Sequence, residues 1–123
     1  MKYLILIYSN PRSRDIWDNF SDAERAEGWR LHGALVEDLA EAGELVVVEG
    51  LAEPSKSRTV QVTDGRTVTS DGPFAEAKEY LAGFFLIECE SMERAIEHAS
   101  RIPEATLGLV EVRPVLAPGG LEM

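Results

Sequence analysis

Asp71-Gly72-Pro73-Phe74, continued by Ala75-Glu76-Ala77-Lys78-Glu79, stands between a polar hairpin pattern and the most apolar run of the chain, Gly83-Phe84-Phe85-Leu86-Ile87-Glu88. A second run of the same kind, Tyr3-Leu4-Ile5-Leu6-Ile7-Tyr8, lies near the start. Continuous rather than alternating apolar runs suit strands covered on both faces, hence central in their sheet. The bend between hairpin and strand is locally dictated. Glycine tolerates positive φ, proline fixes its own φ, and the residue before a proline is pushed out of the α region. A carboxylate on such a bend is held in one direction, which a structural cap and a catalytic group both require. One helical turn is expected after Pro73, because proline suits a first helical position.

Outward from these two strands, the pattern alternates helix and strand. Ser9-Asn10-Pro11 reads as turn chemistry, followed by a loop that Trp17 and Phe20 pin to the body. Ser21-Asp22-Ala23-Glu24 is a capping box opening a helix that runs to Ala42 and stops at Gly43. Trp29, His32, Leu35, Val36 and Leu39 share one arc of that helix, so His32 is expected to face the sheet. Leu45 to Leu51 is the second strand. Arg58 to Thr63 and Thr67 to Ser70 flank Asp64-Gly65-Arg66 as a hairpin. Ser91 caps a last helix with Met92, Ala95, Ile96 and Ala99 inward, which leaves His98 on the solvated face beside Arg94 and Arg101. Leu109 to Val115 alternates and reads as an edge strand.

With 123 residues the chain makes one domain, residues 1–116, and a loose tail, 117–123. A 45% hydrophobic and 28% charged composition is that of an ordinary globular protein, and 22 acids against 12 bases give a net charge of −10. That balance disfavours nucleic acid, whose affinity comes from cations neutralising phosphates, and an anionic membrane surface. The apolar start is too short for a signal-peptide core and lacks a cleavage site, and no window is long enough to span a membrane. A cytoplasmic protein is expected. The single cysteine, Cys89, permits no internal disulfide and reads as a small buried hydrophobe rather than a nucleophile. No glycine-rich phosphate loop, Gly-x-Ser-x-Gly elbow or paired-histidine metal motif occurs, so neither cofactor nor metal is expected.

Strand, helix, strand, hairpin, strand, helix, strand is the order of an α+β, ferredoxin-like split βαβ sandwich with an inserted β-hairpin. The two unalternating strands are the central pair of that topology. Both helices fall on one face, so the other face is expected to pack on a second copy as a homodimer.

The Met-Lys-Tyr start, the Asp71-Gly72-Pro73-Phe74 motif with Lys78-Glu79, Gly83 to Glu88 and Val110-Glu111-Val112-Arg113-Pro114-Val115 together resemble the YCII-related proteins. The branch named for its Asp-Gly-Pro-Phe motif is most similar. The resemblance covers nearly the whole chain and implies a dimeric α+β barrel. It also implies a helix histidine and a loop aspartate as a suggested active-site pair, and His32 and Asp71 match those positions. Association of family members with sigma-factor-like transcription proteins adds a regulatory alternative.

His32 therefore has two readings: a core histidine satisfied by a backbone carbonyl, or a general base whose tautomer an aspartate fixes. Asp71 likewise either stabilises its turn or orients His32. Tyr8 and Ser9, at the end of a central strand, join Arg58, Pro73 and Phe74 as candidate substrate-binding residues, with turn chemistry as the alternative for Tyr8 and Ser9. Glu49 and Glu88 are candidate half-buried acids. The leading expectation is a cofactor-independent enzyme in which His32 and Asp71 perform acid–base chemistry, an isomerisation or elimination, on a small metabolite. The competing one is a non-catalytic dimer that binds a ligand or a protein.

Overall fold

The computed structural model describes residues 1–117, so most of the expected tail lies outside the described residues. In chain order the elements are β1 (Lys2–Ser9), α1 (Pro11–Asp18), α2 (Asp22–Glu41), β2 (Leu45–Gly50), β3 (Arg58–Thr63), β4 (Arg66–Asp71), β5 (Tyr80–Glu88), α3 (Met92–Ala99) and β6 (Val110–Pro114). Short 3-10 turns at Pro54–Lys56 and Pro103–Leu107 complete the connections.

β2, β5, β1 and β6 form one antiparallel sheet in that order, and β3 pairs with β4 as a separate two-stranded arm. The unalternating strands β1 and β5 are its central pair. The unit β1–α2–β2 is split by β5, and β5–α3–β6 is split by β1. The result is an α+β fold with a four-stranded antiparallel sheet and an inserted hairpin.

Tyr3, Ile5 and Ile7 of β1 and Phe85 and Ile87 of β5 are buried under Leu35 and Leu39 of α2 and Ala95 and Ala99 of α3. The opposite face carries Leu4, Leu6, Phe84, Leu86 and Val47, which the register places side by side: Leu4 opposite Leu86, Leu6 opposite Phe84, Val47 opposite Leu86. No described helix covers these residues, and all stay half-buried or exposed.

The Ser21–Glu24 capping box forms as read, with Glu24 N–H on Ser21 Oγ at 3.1 Å and Ser21 N–H on Glu24 Oε1 at 2.9 Å. Gly43 ends the helix at φ 72°. Asp64 (φ 51°) and Gly65 (φ 75°) give the hairpin the doubly left-handed turn that matches strand twist. Four readings need correction. The Trp17 segment is a helix rather than a loop. Asn10 accepts from Ser13 N–H at 2.8 Å and Pro11 opens the helix, so what read as turn chemistry is an N-cap. Beyond Pro73 there is only a turn, closed by Ala77 N–H on the Phe74 carbonyl at 3.1 Å. In α3, Ile96 is 51% exposed while His98 is 4% exposed. Its inner stripe runs through Ala95, His98 and Ala99, with His98 in the place expected of Ile96.

Close packing at one glycine holds β2 against β5. A Cβ on Gly83 would lie 2.9 Å from the Glu49 carbonyl oxygen and 3.4 Å from Gly50 Cα. Gly83→Ala is expected to cost about 1–3 kcal/mol by overpacking. Gly33→Ala, on the open side of α2 with nothing within 4 Å, should instead raise stability by about 0.4–1 kcal/mol. Urea denaturation of both variants checks the opposite signs.

Candidate functional site

The site is built on the bend that joins β4 to β5. Gly72 takes φ 83° and donates its N–H to the Ser57 carbonyl at 2.7 Å, which closes the base of the arm. Pro73 and Phe74 then turn back toward the sheet, and Phe74 remains 74% exposed. Between the arm and the sheet lies an open cleft of about 570 Å³. Its walls are mainly apolar, with Leu51, Val60, Phe74 and Leu81 among them, and Arg58 and Pro73 also border it. A second cleft of about 520 Å³, between α1 and the Pro54 turn, shares Pro73 and Tyr80 with the first. Arg14 and Glu53 face each other across it at 3.9 Å.

Three of the five candidate binding residues, Arg58, Pro73 and Phe74, thus line one cleft. Tyr8 and Ser9 do not line it themselves. Their strand partners do: Tyr8 pairs with Leu81 and Ser9 with Tyr80. A register shift between Ile7 and Tyr8 skips Ala82, whose carbonyl accepts from Leu51 N–H at 2.8 Å instead. That bulge sets the floor of the cleft beside the open sheet face. Tyr8 Oη donates to Glu111 Oε1 at 2.9 Å, and burial, with the Glu111 carboxylate, raises the phenol above its ordinary pKa.

Asp71 ends β4 directly opposite Arg58. Its side chain is 92% exposed and meets Arg58 Nε at 3.6 Å, a contact that solvent screens. His32 is half-buried beneath α2. Its ring lies 5.5 Å from the Phe85 ring and 6.2 Å, edge-on, from Trp29, which in turn meets Trp17 of α1 at 5.7 Å. Among the described residues His32 makes no hydrogen bond, so no backbone carbonyl satisfies it, and none joins it to Asp71. Neither residue lines either cleft. Glu49 and Glu88 are exposed. Cys89 is buried, its thiol facing the Ser91 carbonyl at 3.4 Å and pushed up in pKa chiefly by burial, so it is no ready thiolate.

Residues 1–117 match the YCII-related domain. The chain belongs to the YCII-related domain family. An uncharacterised protein of Rhizobium meliloti (strain 1021) is 36% identical to this YCII-related protein over 117 residues, which is 94% of this chain and 92% of the relative. Among the described residues, no helix of this family member is long and apolar enough to cross a membrane.

The ionic cluster that the sequence reading missed lies away from both clefts. Glu44, between α2 and β2, accepts from Arg94 Nε at 3.3 Å and Nη2 at 3.1 Å, and its Oε1 is 3.1 Å from His98 Nε2. Arg94 also holds Glu97 at 3.1 Å. His98 is inside because it has a carboxylate waiting, which offsets the cost of burying its polar ring. Only the His98 expectation is overturned: His98 is buried and partnered, while His32 faces the sheet against Phe85 as expected, half-buried and without a hydrogen-bond partner among the described residues. The legible signal was Arg94 and His98 at i, i+4, which places both on one side of α3.

Arg94 first, and then His98, holds the Glu44 carboxyl below the ordinary glutamate range despite its burial. A carboxyl depressed on folding contributes stability that is fully present above its unfolded pKa and is lost as pH falls through the folded one. Unfolding followed across acid pH should therefore show a loss of stability that Glu44→Gln flattens. At neutral pH, Glu44→Ala, which strands Arg94 and His98, should cost about 1–3 kcal/mol.

Proposed function

We propose that this YCII-related protein is a small-molecule-binding homodimer of the Asp-Gly-Pro-Phe branch, with its ligand held in the cleft under Asp71–Phe74. The observation that carries the reading is the cleft itself. Its volume lies within the range of small-molecule sites, its exposed wall area is mostly apolar, and the charged residues Glu53, Lys56, Arg58 and Glu79 border it. The branch assignment is supported by the motif that forms one wall, since the tight Gly72-Pro73 bend is what presents Phe74 outward. Dimerisation through facing sheets, giving an α+β barrel, is supported by the uncovered stripe of Leu4, Leu6, Val47, Phe84 and Leu86. The charged residues Lys2, Glu49, Glu88, Glu111 and Arg113 rim it, as expected of an apolar interface core with a polar edge.

A second reading, acid–base catalysis by His32 with Asp71 on a small metabolite, is supported by the His32 ring: half-buried, and with nitrogens that no described protein group occupies. An imidazole in that state has a nitrogen free for a substrate proton. The exposure of Asp71 and its pairing with Arg58 weigh against the dyad, so the binding reading comes first.

A metabolite panel screened by thermal shift and NMR separates the two readings. Binding in the cleft predicts ligand-induced shifts around Phe74, Tyr80 and Leu81, lost in Phe74→Ala and retained in His32→Ala. Catalysis predicts turnover that His32→Ala lowers about 10²–10⁴-fold with binding retained. If no compound perturbs the cleft residues, the binding reading fails. The dimer is tested by light scattering: Leu6→Arg with Leu86→Arg should yield a folded monomer, and a native protein that is already monomeric overturns it.

A further inference from the structure

We infer that the ligand of the arm-side cleft is an amphiphilic organic cation, with its apolar body beside Phe74 and its charged end in the neighbouring cleft against α1. This rests on the binding reading above and names the class of ligand for that site. The two clefts adjoin. Glu53, Pro54, Pro73 and Tyr80 border both, so a molecule lying across that saddle enters a space of about 570 Å³ at one end and about 520 Å³ at the other. Their walls differ in charge. The arm side sets Lys56 against Glu79, and its Arg58 is held by Asp71, so those four residues carry no net charge. The α1 side sets Asp15, Asp18 and Glu53 against Arg14, and three acids against one base leave it at −2.

Helix α1 does not need that charge. Asp15 and Asp18 lie in its last turn, which holds no basic residue and where the helix macrodipole is already negative. Two carboxylates there work against the helix that carries them. Arg25 caps this end by donating to the Trp17 carbonyl at 3.2 Å and the Asp18 carbonyl at 2.9 Å, and it does not line the cleft. Glu53 meets Arg14 at 3.9 Å with both side chains about half-exposed, a contact that solvent screens. The size of the cation follows from the spacing of the acids. Among the described residues no three acids, histidines or cysteines converge as a metal ion needs. Carboxylates spread around a cleft suit a larger charge, an alkylammonium or a guanidinium. Tyr80 on the saddle adds an aromatic ring, which attracts such a cation through its face. The net charge of −10 favours cations over anions at the whole surface.

The test titrates the isotopically labelled full chain by NMR with three probes of matched shape: phenethylamine, phenethyl alcohol and hydrocinnamate. The amine and the alcohol should both shift Phe74 and Leu81, and only the amine should also shift Asp15 and Asp18. The amine should bind about three- to tenfold more tightly than the alcohol, a margin that shrinks as salt is raised. Asp15→Asn with Asp18→Asn should bring the amine down to the affinity of the alcohol and leave the alcohol unchanged. The same variant should not lower Tm, since neither acid favours its helix. A double variant that keeps the amine's margin overturns the inference, as does an alcohol or a carboxylate that binds as tightly as the amine; in both cases binding in the cleft stands. Shifts from none of the three probes overturn it as well, and the binding reading then stands or falls by the metabolite panel.

Discussion

The pairing of β1 with β5 is the constraint on which the molecule is built. Both strands are apolar along both sides, so with the helices on one face the other still presents leucine and phenylalanine. Ile5 opposite Phe85 and Tyr3 opposite Ile87 fix the buried register. A slip of one residue would turn every core side chain outward. The same pairing carries the bulge at Ile7/Tyr8, and there the unpaired Ala82 carbonyl takes up Leu51 N–H and launches the insert. The cleft is thus a by-product of one irregularity in the central ladder. Its position is set by the core, and its walls by the insert.

Electrostatics divides the molecule along similar lines. The acidic body is held together locally by the Glu44 hub, where one carboxylate joins the α2–β2 turn to α3 through Arg94 and His98. Removing that carboxylate leaves Arg94 and the buried His98 ring without their shared partner, whereas the Arg58–Asp71 contact on the arm is so exposed that its loss leaves nothing buried. The two kinds of ionic contact are kept apart: the largely buried one ties elements of the fold together, and those beside the cleft are exposed.

Much of this was legible because it is local. Capping boxes, the Asp64-Gly65 turn, the Gly43 stop and the two unalternating strands each follow from a few adjacent residues, and together they fix the topology. What escaped depended on a partner that the pattern alone does not single out, whether near or far. The α3 stripe could be drawn through Ile96 or through His98, since Ala95 and Ala99 belong to both arcs. Glu44, fifty residues away, decides between them. Asn10 was visible as turn chemistry, but its role as a cap depends on Ser13 returning the bond. The candidate site was legible as a set of residues around the bend, three of which share a cleft. That His32 and Asp71 make no contact follows from the long path of the insert, which no spacing in the sequence encodes.

The topology has a consequence for biosynthesis. β1, the innermost strand, has neighbours that come late in the chain: Lys2 pairs with Glu88 and Tyr3 with Pro114. At about 5–20 residues per second, the ribosome takes roughly 5–20 s to make the hundred residues between β1 and β6. Until β5 is made, a ribbon of leucine and isoleucine has no strand partner, and α1, α2 and the β3–β4 ribbon are what can organise locally. The interior then closes late and nearly all at once. Until β6 has emerged, the growing chain therefore carries apolar strand surface that its own sequence cannot yet cover.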